Sequence, residues 1–538
     1  MDAWPDFGDW CVNSRRITDK KTGTVGPFSL LRYPWLEFPY QTIGGMGPGS
    51  TVILKKCAQV GFTELCINVA FFAVANGANV FYALPPGKGI VGDFVHARID
   101  TAIGDSPEMQ GIAGQIDNVG FKAFERGNLY IRSTHIPKGD PRNAPGLAEV
   151  PVDVLIFDEF DRIPPAAVPL LEKRLSASGI KWQICGSTPT YPDVGIDSVY
   201  NESCRFEVQV TCQECGAKHW LDWKLVKPPI RGLGPFMICP SCGKEIDRVD
   251  MWSDGRAEWV ARQPASERLG FWISRLADPG ADLRALWIES EKKKEAQRQA
   301  FHNAELGIAY EPKGARLTKD LIASCVGSGY NTWESTGVWC AMGVDVGLKL
   351  HYWIKRRLPN GRERAVRAGE VMEWHELDVL MQQYDVQRCV VDDRPELRLD
   401  EQFQDRHRGK VALAQELDSP DAPIYRWVKT SGRLIVKIER TKALREASDR
   451  VKQGVDELPQ DWESVAGLPE HLTAMIMVAR ITEDGRTVYH FPHNSKPDHL
   501  MHAKLFCEAA MSIMPQDPGH RMGGGSGTPK AGRRHTGL

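Results

Sequence analysis

The sequence predicts an α/β chain in two parts with a small cysteine-rich module between them. Over residues 50–200, apolar strand runs alternate with helical stretches, the pattern of an open, mainly parallel sheet. Two CxxC pairs follow directly, and a second succession of strands begins near Val338.

At 538 residues the chain has room for about three to four domains. Its 42% apolar and 25% charged residues exclude a disordered, coiled-coil or collagen-like chain. Lys+Arg (67) nearly balances Asp+Glu (69), for a net charge of −2, so any nucleic-acid surface is a local patch. No apolar run approaches bilayer length, and the start, Met1–Asp6, lacks the basic region and apolar core of a secretion signal; no membrane partner is expected. Thirteen cysteines, nine of them scattered, oppose a secreted disulfide framework and point to a reducing cytoplasm.

In order, an N-terminal segment (1–48) rich in Pro, Gly and aromatics precedes strand Thr51–Leu54 and helix Thr63–Ala75. Further buried strands are expected at Asn79–Leu84, Val152–Phe157 and Trp182–Cys185, within a domain spanning 49–205. The cysteine module covers 206–250. A helical region and linker (251–335) follows, with one charged helix over 281–306 and Gly307 as its C-cap. A second α/β domain spans 336–514, and a basic, glycine-rich tail expected to be disordered spans 515–538.

Between the first strand and its helix, Lys56-Cys57-Ala58-Gln59-Val60-Gly61-Phe62-Thr63 occupies the place of a phosphate loop. The G-x4-G-K-[ST] pattern is met only at Gly61 and Thr63, since Lys56 stands at the first glycine and Phe62 at the lysine. A helix N-terminus there aims N–H groups at phosphates, Thr63 suits Mg²⁺, and Lys56 offers an ammonium from the other end of the loop. About a hundred residues on, strand Val152–Phe157 ends in Asp158-Glu159, the Walker B arrangement. Asp158 would hold Mg²⁺ through the metal's water shell, and Glu159 would orient and deprotonate the attacking water. A third strand ends in Gly186-Ser187-Thr188, hydroxyls placed to sense a γ-phosphate and couple its hydrolysis to a neighbouring domain. These features together read as a P-loop ATPase sheet.

Cys212-x-x-Cys215 and Cys239-x-x-Cys242, each followed by Gly, have the spacing of two zinc knuckles. Four thiolates leave no open position for water, so the expected role of the Zn²⁺ is structural. His219 and Trp220 read as packing.

In the second half, strands Val338–Val346, His351–Leu358 and Glu363–Val371 precede helix His375–Tyr384 and strand Arg388–Val391. Asn360-Gly361 marks the hairpin. This β-β-β-α-β order, with Asp345 on the first strand and Asp392-Asp393 ending the fourth, is that of the ribonuclease-H-like nuclease fold. A late helix opens at Asp498, with His502 on the same face. Asp345, Asp392 (or Asp393) and Asp498 (or His502) form a candidate Mg²⁺ or Mn²⁺ set for phosphodiester cleavage. Lys355, Arg356, Arg357, Arg362, Arg364 and Arg367 on the hairpin are candidates for gripping phosphates, or form a solvated basic face.

Together these motifs resemble the large subunit of the tailed-phage terminase, lambda type (GpA family), over roughly residues 30–510. The loop is similar to the family's K-S-A-Q-V-G-K-[ST]-E, and Gly270–Ser274 and Asn303–Gly307 look like family segments. The resemblance implies ATP-driven translocation of double-stranded DNA into a procapsid and endonucleolytic cutting of the concatemer. It assigns ATPase roles to Lys56, Gln59, Gly61, Thr63, Asp158 and Glu159, coupling to Ser187 and Thr188, and nuclease metal to Asp345, Asp392 and Asp498. Tyr40 and Gln41 would meet adenine. It also implies ATP, the small terminase subunit, the portal protein and a ring homo-oligomer, acting in the host cytoplasm and transiently at the portal. The chain departs from the family at Phe62, at Gln59 where some members carry Arg, and at His502 where an Asp is usual. Two other readings are a helicase-like ATPase with an inactive nuclease-fold scaffold, and a non-enzymatic zinc-ribbon DNA adaptor.

Overall fold

Strand β1 (Thr51–Lys56) buries four of its six residues and runs into helix α1 (Phe62–Ala75). The structure, a computed structural model, describes residues 4–18, 23–137, 144–147, 150–230, 232–327, 333, 338–419, 421–481, 487–492 and 496–515. The expected disordered tail, save Pro515, lies outside the described residues. The chain divides into two units at Pro312/Lys313.

In the N-terminal unit, seven strands run parallel. They are β1, β2 (Val80–Leu84), β3 (Asn128–Ser133), β4 (Val154–Asp158), β5 (Trp182–Ser187), β6 (Phe206–Thr211) and β7 (Leu269–Ile273), in the order β6-β7-β1-β5-β4-β2-β3. β2 and β4 are buried at every residue, as continuous apolar strands of a sheet covered on both faces are. β5 lies between β1 and β4, pairing Ser187 with Lys55 and Gly186 with Asp158, so the loop, the acids and the hydroxyl strand end meet at one edge.

The sheet continues past residue 200. β6 and β7 extend it beyond β1, and the cysteine module leaves the sheet between them. Their short, partly alternating apolar patterns do not read as buried parallel strands on their own. The helix expected over 281–306 is broken into Leu283–Ser290, Glu295–Ala300 and a π-helical turn, Phe301–Glu305. The break falls at Lys292-Lys293-Lys294, where like charges crowd and Lys294 turns extended. Gly307 does adopt the left-handed conformation at the end, at φ 63°.

The C-terminal unit holds β8 (Cys340–Val346), β9 (Leu350–Arg357), β10 (Glu363–Val371), α2 (Trp374–Gln383), β11 (Val386–Asp392), α3 (Leu397–Arg406), β12 (Val411–Leu417), β13 (Tyr425–Thr430), β14 (Arg433–Glu439), α4 (Arg440–Lys452), β15 (Asp456–Glu457) and α5 (His499–Ser512). The sheet order is β13-β14-β12-β11-β8-β9-β10-β15. β8, β11, β12 and β14 are parallel, and β8-β9-β10 form antiparallel hairpins.

Helix α5 lies directly on β8. A Cβ on Gly343 would sit 2.1 Å from the backbone of both Ala503 and Cys507, so only glycine admits this approach. The same helix is anchored by a buried ion network. Lys355 Nζ donates to Asp456 Oδ1 (2.6 Å) and to Glu508, Lys504 Nζ forms an ion pair with Asp456 Oδ2 (2.7 Å) and donates to Glu508 (2.8 Å), and Arg450 pairs with Glu508 (3.0 Å) and Glu363. Three cations face three carboxylates. This corrects the expected phosphate-gripping hairpin, since Lys355 is fully buried and Arg362 and Arg364 pair with Glu457 at 2.8 and 2.9 Å.

Gly343→Ala is expected to destabilise the protein by about 1–3 kcal/mol or more through forced separation of α5 from β8, read as a lowered urea midpoint.

Candidate functional sites

The loop leaving β1 is held from beneath. Cys57 N–H donates to Ile273 O (2.8 Å) and Ala58 N–H to Ala304 O (2.8 Å). Arg275 donates to Ala58 O (2.6 Å) and to Glu305 (3.2 Å). The two segments singled out by resemblance, around 270–274 and 303–307, are thus the floor of the loop. Gln59 is exposed, and both it and Gly61 are left-handed, at φ 55° and 88°. Leu36 and Tyr33 pack against Gly61.

Phe62 is buried with its ring against Gly186, where a Cβ would fall 2.2 Å from it. The glycine of Gly186-Ser187-Thr188 therefore makes room for the aromatic ring that replaces the loop lysine. Lys56 is buried too, with Nζ 4.0 Å from Glu159 and 5.7 Å from the Phe62 ring centre.

Asp158 ends β4 almost fully buried. Tyr82 donates to its Oδ2 (2.9 Å), and its Oδ1 has no hydrogen-bond partner among the described residues. Burial pushes its carboxyl above the usual range, Tyr82 and Lys56 pull against that, and Glu159 adds to it. A buried, half-satisfied carboxylate facing a cavity is a fit for a divalent cation. Thr63, Asp158, Glu159 and Arg98 line one cavity. The next acid, Asp161, was not singled out in the sequence. It accepts from Thr190 N–H (2.8 Å), Thr190 Oγ1 (2.7 Å) and Ile196 N–H (2.6 Å), and its own N–H donates to Ser187 Oγ (3.2 Å). Burial holds it at about 6. Ser187 in turn donates to Thr188 O (3.1 Å). The adenine expectation for Tyr40 is corrected, because its ring is buried between Phe7 and Phe28 and its hydroxyl accepts from Asn68 (2.9 Å).

The two CxxC turns close alike, with Gly216 N–H donating to Cys212 O and Gly243 N–H to Cys239 O, each at 2.9 Å. All four sulfurs lie within 4.8 Å of one another, with Cys212–Cys242 and Cys215–Cys239 at 3.7 Å. A tetrahedron with Zn–S of about 2.3 Å has edges of about 3.8 Å, so the donor set fits zinc. His219 does more than pack, since its Nε2 lies 3.2 Å from Cys239 Sγ. Although burial opposes it, the Cys242 and Ser241 amides and His219 bring the Cys239 thiol down to about 6.

In the C-terminal unit, strand register builds the other site. Val344 pairs with Val391, which puts Asp345 beside Asp392; Asp345 pairs with His351, and His351 with Glu370. Asp392 pairs with Ala414, so Glu416, two residues on, shares that face. Asp393, just past the strand end, lines one cavity together with Asp392 and Glu416. From α5, His499 Nδ1 donates to Asp345 Oδ2 (2.9 Å) and His502 Nδ1 to Glu416 Oε1 (3.2 Å). Asp498, the helix N-cap, lies 3.7 Å from His502 Nε2. The structure thus gathers Asp345, Asp392 and His502 with Glu416, and brings Asp498 in through His502. Sequence reading missed Glu416, His351 and His499; the cross-strand register was the signal that locates the first two. Asp345, His351 and His499 also offer ligand atoms within 4.8 Å of one another; the two rings stack nearly parallel, 4.5 Å apart, and His499 Nδ1 is already bonded to Asp345. This pair supports Asp345 more readily than it converges on one ion.

Burial, then Asp345, Glu416 and Asp393, raise Asp392 to about 8. Burial alone would lower His502, but Glu416, Asp498 and Asp345 raise it to about 9. A carboxyl such as Asp392, crowded by other acids and raised to about 8, is a fit for a divalent metal, which would replace its proton.

Two outcomes follow from these geometries. Asp392 binds its proton more tightly folded than unfolded, where its value is about 4. Metal-free protein therefore loses stability as pH rises from about 4 through about 8, while Mn²⁺ affinity measured by calorimetry climbs over the same window and levels off above it. Asp392→Asn should abolish the climb. For the cysteine site, elemental analysis should find one zinc per chain, lost together with a lowered Tm in Cys239→Ser; equal Tm with and without chelator would contradict the site.

Residues 23–259 match the family model described as the ATPase domain of phage terminase large subunit gpA. The terminase large subunit of Enterobacteria phage P21 is 24% identical over 265 residues, 44% of this chain and 39% of that protein. The match thus spans well under half the length of that curated relative. The large terminase of bacteriophage HK97 shares the fold with a TM-score of 0.54 at 9% identity, covering 95% of this chain and 100% of that one. The N-terminal part of the chain is thus similar to the gpA-type ATPase domain of phage terminase large subunits, and the chain shares its fold with a large terminase.

Proposed function

We propose that the chain is a DNA-packaging terminase large subunit that hydrolyses ATP to drive double-stranded DNA into a procapsid and cuts concatemeric DNA with a divalent metal. The observation that carries this reading is the presence, on one chain with a terminase ATPase match, of two separate carboxylate sites at strand ends, Asp158-Glu159 and Asp345-Asp392-Glu416.

In the ATPase domain, whose sheet runs on past 205 to β7, the α1 N-terminus and Gly61 receive phosphates, Thr63 and Asp158 would hold Mg²⁺, and Glu159 takes the proton of the attacking water. Bound Mg²⁺ neutralises charge on the phosphates. Lys56 steadies Glu159 from the loop's other end. Asp161 ties Ser187 and Thr190 to the same turn, which supports Ser187-Thr188 as the point where nucleotide state leaves the site. In the ribonuclease-H-like domain (336–514), Asp345, Asp392 and His502 with Glu416 or Asp498 would hold Mg²⁺ or Mn²⁺, which would supply Lewis-acid activation of water and charge stabilisation at the leaving 3′-oxygen. His499 orients Asp345. The ribbon (206–250) holds structural Zn²⁺. DNA, a small terminase subunit and a portal are the partners, with a ring of copies working at the portal in the host cytoplasm. Among the described residues no helix is long and apolar enough to cross a membrane.

The test is DNA-stimulated phosphate release alongside plasmid cutting in Mg²⁺ or Mn²⁺. Glu159→Gln should lower phosphate release by about 10²-fold or more while leaving cutting, and Asp345→Asn should do the reverse. No cutting by parent at any concentration would favour an inactive scaffold, and no phosphate release would exclude the motor.

A further inference from the structure

Among the described residues, the loop of the nucleotide cleft lacks the positive charge that a phosphate-loop lysine supplies. Phe62, buried against Gly186, stands where phosphate loops carry lysine. The remaining ammonium, Lys56, already faces Glu159 at 4.0 Å and the Phe62 ring. Yet the cavity lined by Thr63, Asp158 and Glu159 contains a guanidinium, that of Arg98. Arg98 is half-buried and, among the described residues, its side chain makes no hydrogen bond or ion pair. Other arginines of this unit are engaged: buried Arg15 with Glu64 and Asn68, half-buried Arg275 with Glu305 and Ala58 O. A half-buried cation without a partner is costly unless an anion completes it.

Its placement says which anion. Arg98 lies in a π-helical turn, Val95–Asp100, fixed by the 2.7 Å pair of Asp100 with Lys122. This turn belongs to the helical segment that follows β2, and its charge is felt at Tyr82, the residue hydrogen-bonded to Asp158. The sheet order β1-β5-β4-β2 therefore lines up Thr63, then Asp158 and Glu159, then Arg98. Thr63 and Asp158 would hold the metal of a triphosphate seated on α1, and Arg98 lines the same cavity as these two residues and Glu159.

We propose that Arg98 is a catalytic residue of ATP hydrolysis, contacting the γ-phosphoryl oxygens in place of the absent loop lysine. The proposal rests on the ATPase reading above. In the step, the water oxygen bonds to the γ-phosphorus while the bond to the β,γ-bridging oxygen breaks, its electron pair leaving with ADP. The water proton passes to Glu159. Arg98 makes and breaks no covalent bond and stabilises the charge spread over the three equatorial oxygens. Arg162 lines the same cavity but is exposed on the turn after Glu159, at the rim.

The experiment uses the full chain, with DNA-stimulated phosphate release and the fluorescence of mant-ATP and mant-ADP as readouts. Arg98→Ala is expected to lower kcat by about 10²-fold or more, to weaken mant-ATP and to leave mant-ADP binding near parent. Arg98→Lys should recover part of kcat, and Arg162→Ala should stay near parent. Parent-like hydrolysis by Arg98→Ala, with Glu159→Gln inactive, overturns the proposal and leaves the ATPase reading standing. Equal loss of mant-ADP and mant-ATP overturns it as well, because that marks a structural role. A parent chain that binds neither nucleotide overturns both.

Discussion

Both units depend on carboxylates buried at the C-terminal ends of parallel strands, without enough positive charge around them. Asp158 keeps one unpartnered oxygen, and Asp392 is crowded by Asp345, Glu416 and Asp393. An unpaired buried charge costs several kcal/mol, and a protein can keep such groups only as protonated acids or as seats for a cation. Neighbouring elements are arranged so that these seats hold their shape. Tyr82 fixes one oxygen of Asp158, and His499 fixes one of Asp345.

Each seat is braced by a buried device away from the chemistry. In the C-terminal unit, α5 reaches the acids because Gly343 lets it lie on β8 and because Lys355 and Lys504 neutralise Asp456 and Glu508 beneath it. Removing one member of such a network strands the others in a low dielectric, so damage there travels to His499 and His502. In the N-terminal unit, Arg275 and the amides of Cys57 and Ala58 fasten the loop to strand β7 and the 303–307 turn. A rigid loop presents preset N–H groups to phosphates and loses little order on binding.

Much of this was legible in the sequence where the signal is local. Apolar runs located β1, β2, β4 and β5; CxxC spacing located the four cysteines; Asn360-Gly361 marked the hairpin, with Gly361 at φ 83°. What needed pairing between distant strands was not legible. Glu416 joins Asp392 only through the β11–β12 register, and His351 joins Asp345 only through β8–β9. Lys355 read as a surface cation because its three carboxylate partners, Glu363, Asp456 and Glu508, are mostly far along the chain. Tyr40 was given an adenine contact by resemblance alone, and nothing local in the sequence marks its burial between Phe7 and Phe28. Gly270–Ser274 was noticed by resemblance alone, and its physical role, a strand beside β1 that carries the floor of the loop, emerged only from the pairing with β1.

The central claim is that the acids of the C-terminal unit share a divalent ion. Anomalous diffraction from crystals of the chain soaked in Mn²⁺ tests it most directly. The account predicts a peak within about 2.0–2.3 Å of carboxylate oxygens from both Asp345 and Asp392. Well-ordered, unoccupied carboxylates at saturating Mn²⁺, or a peak elsewhere on the unit, would contradict it.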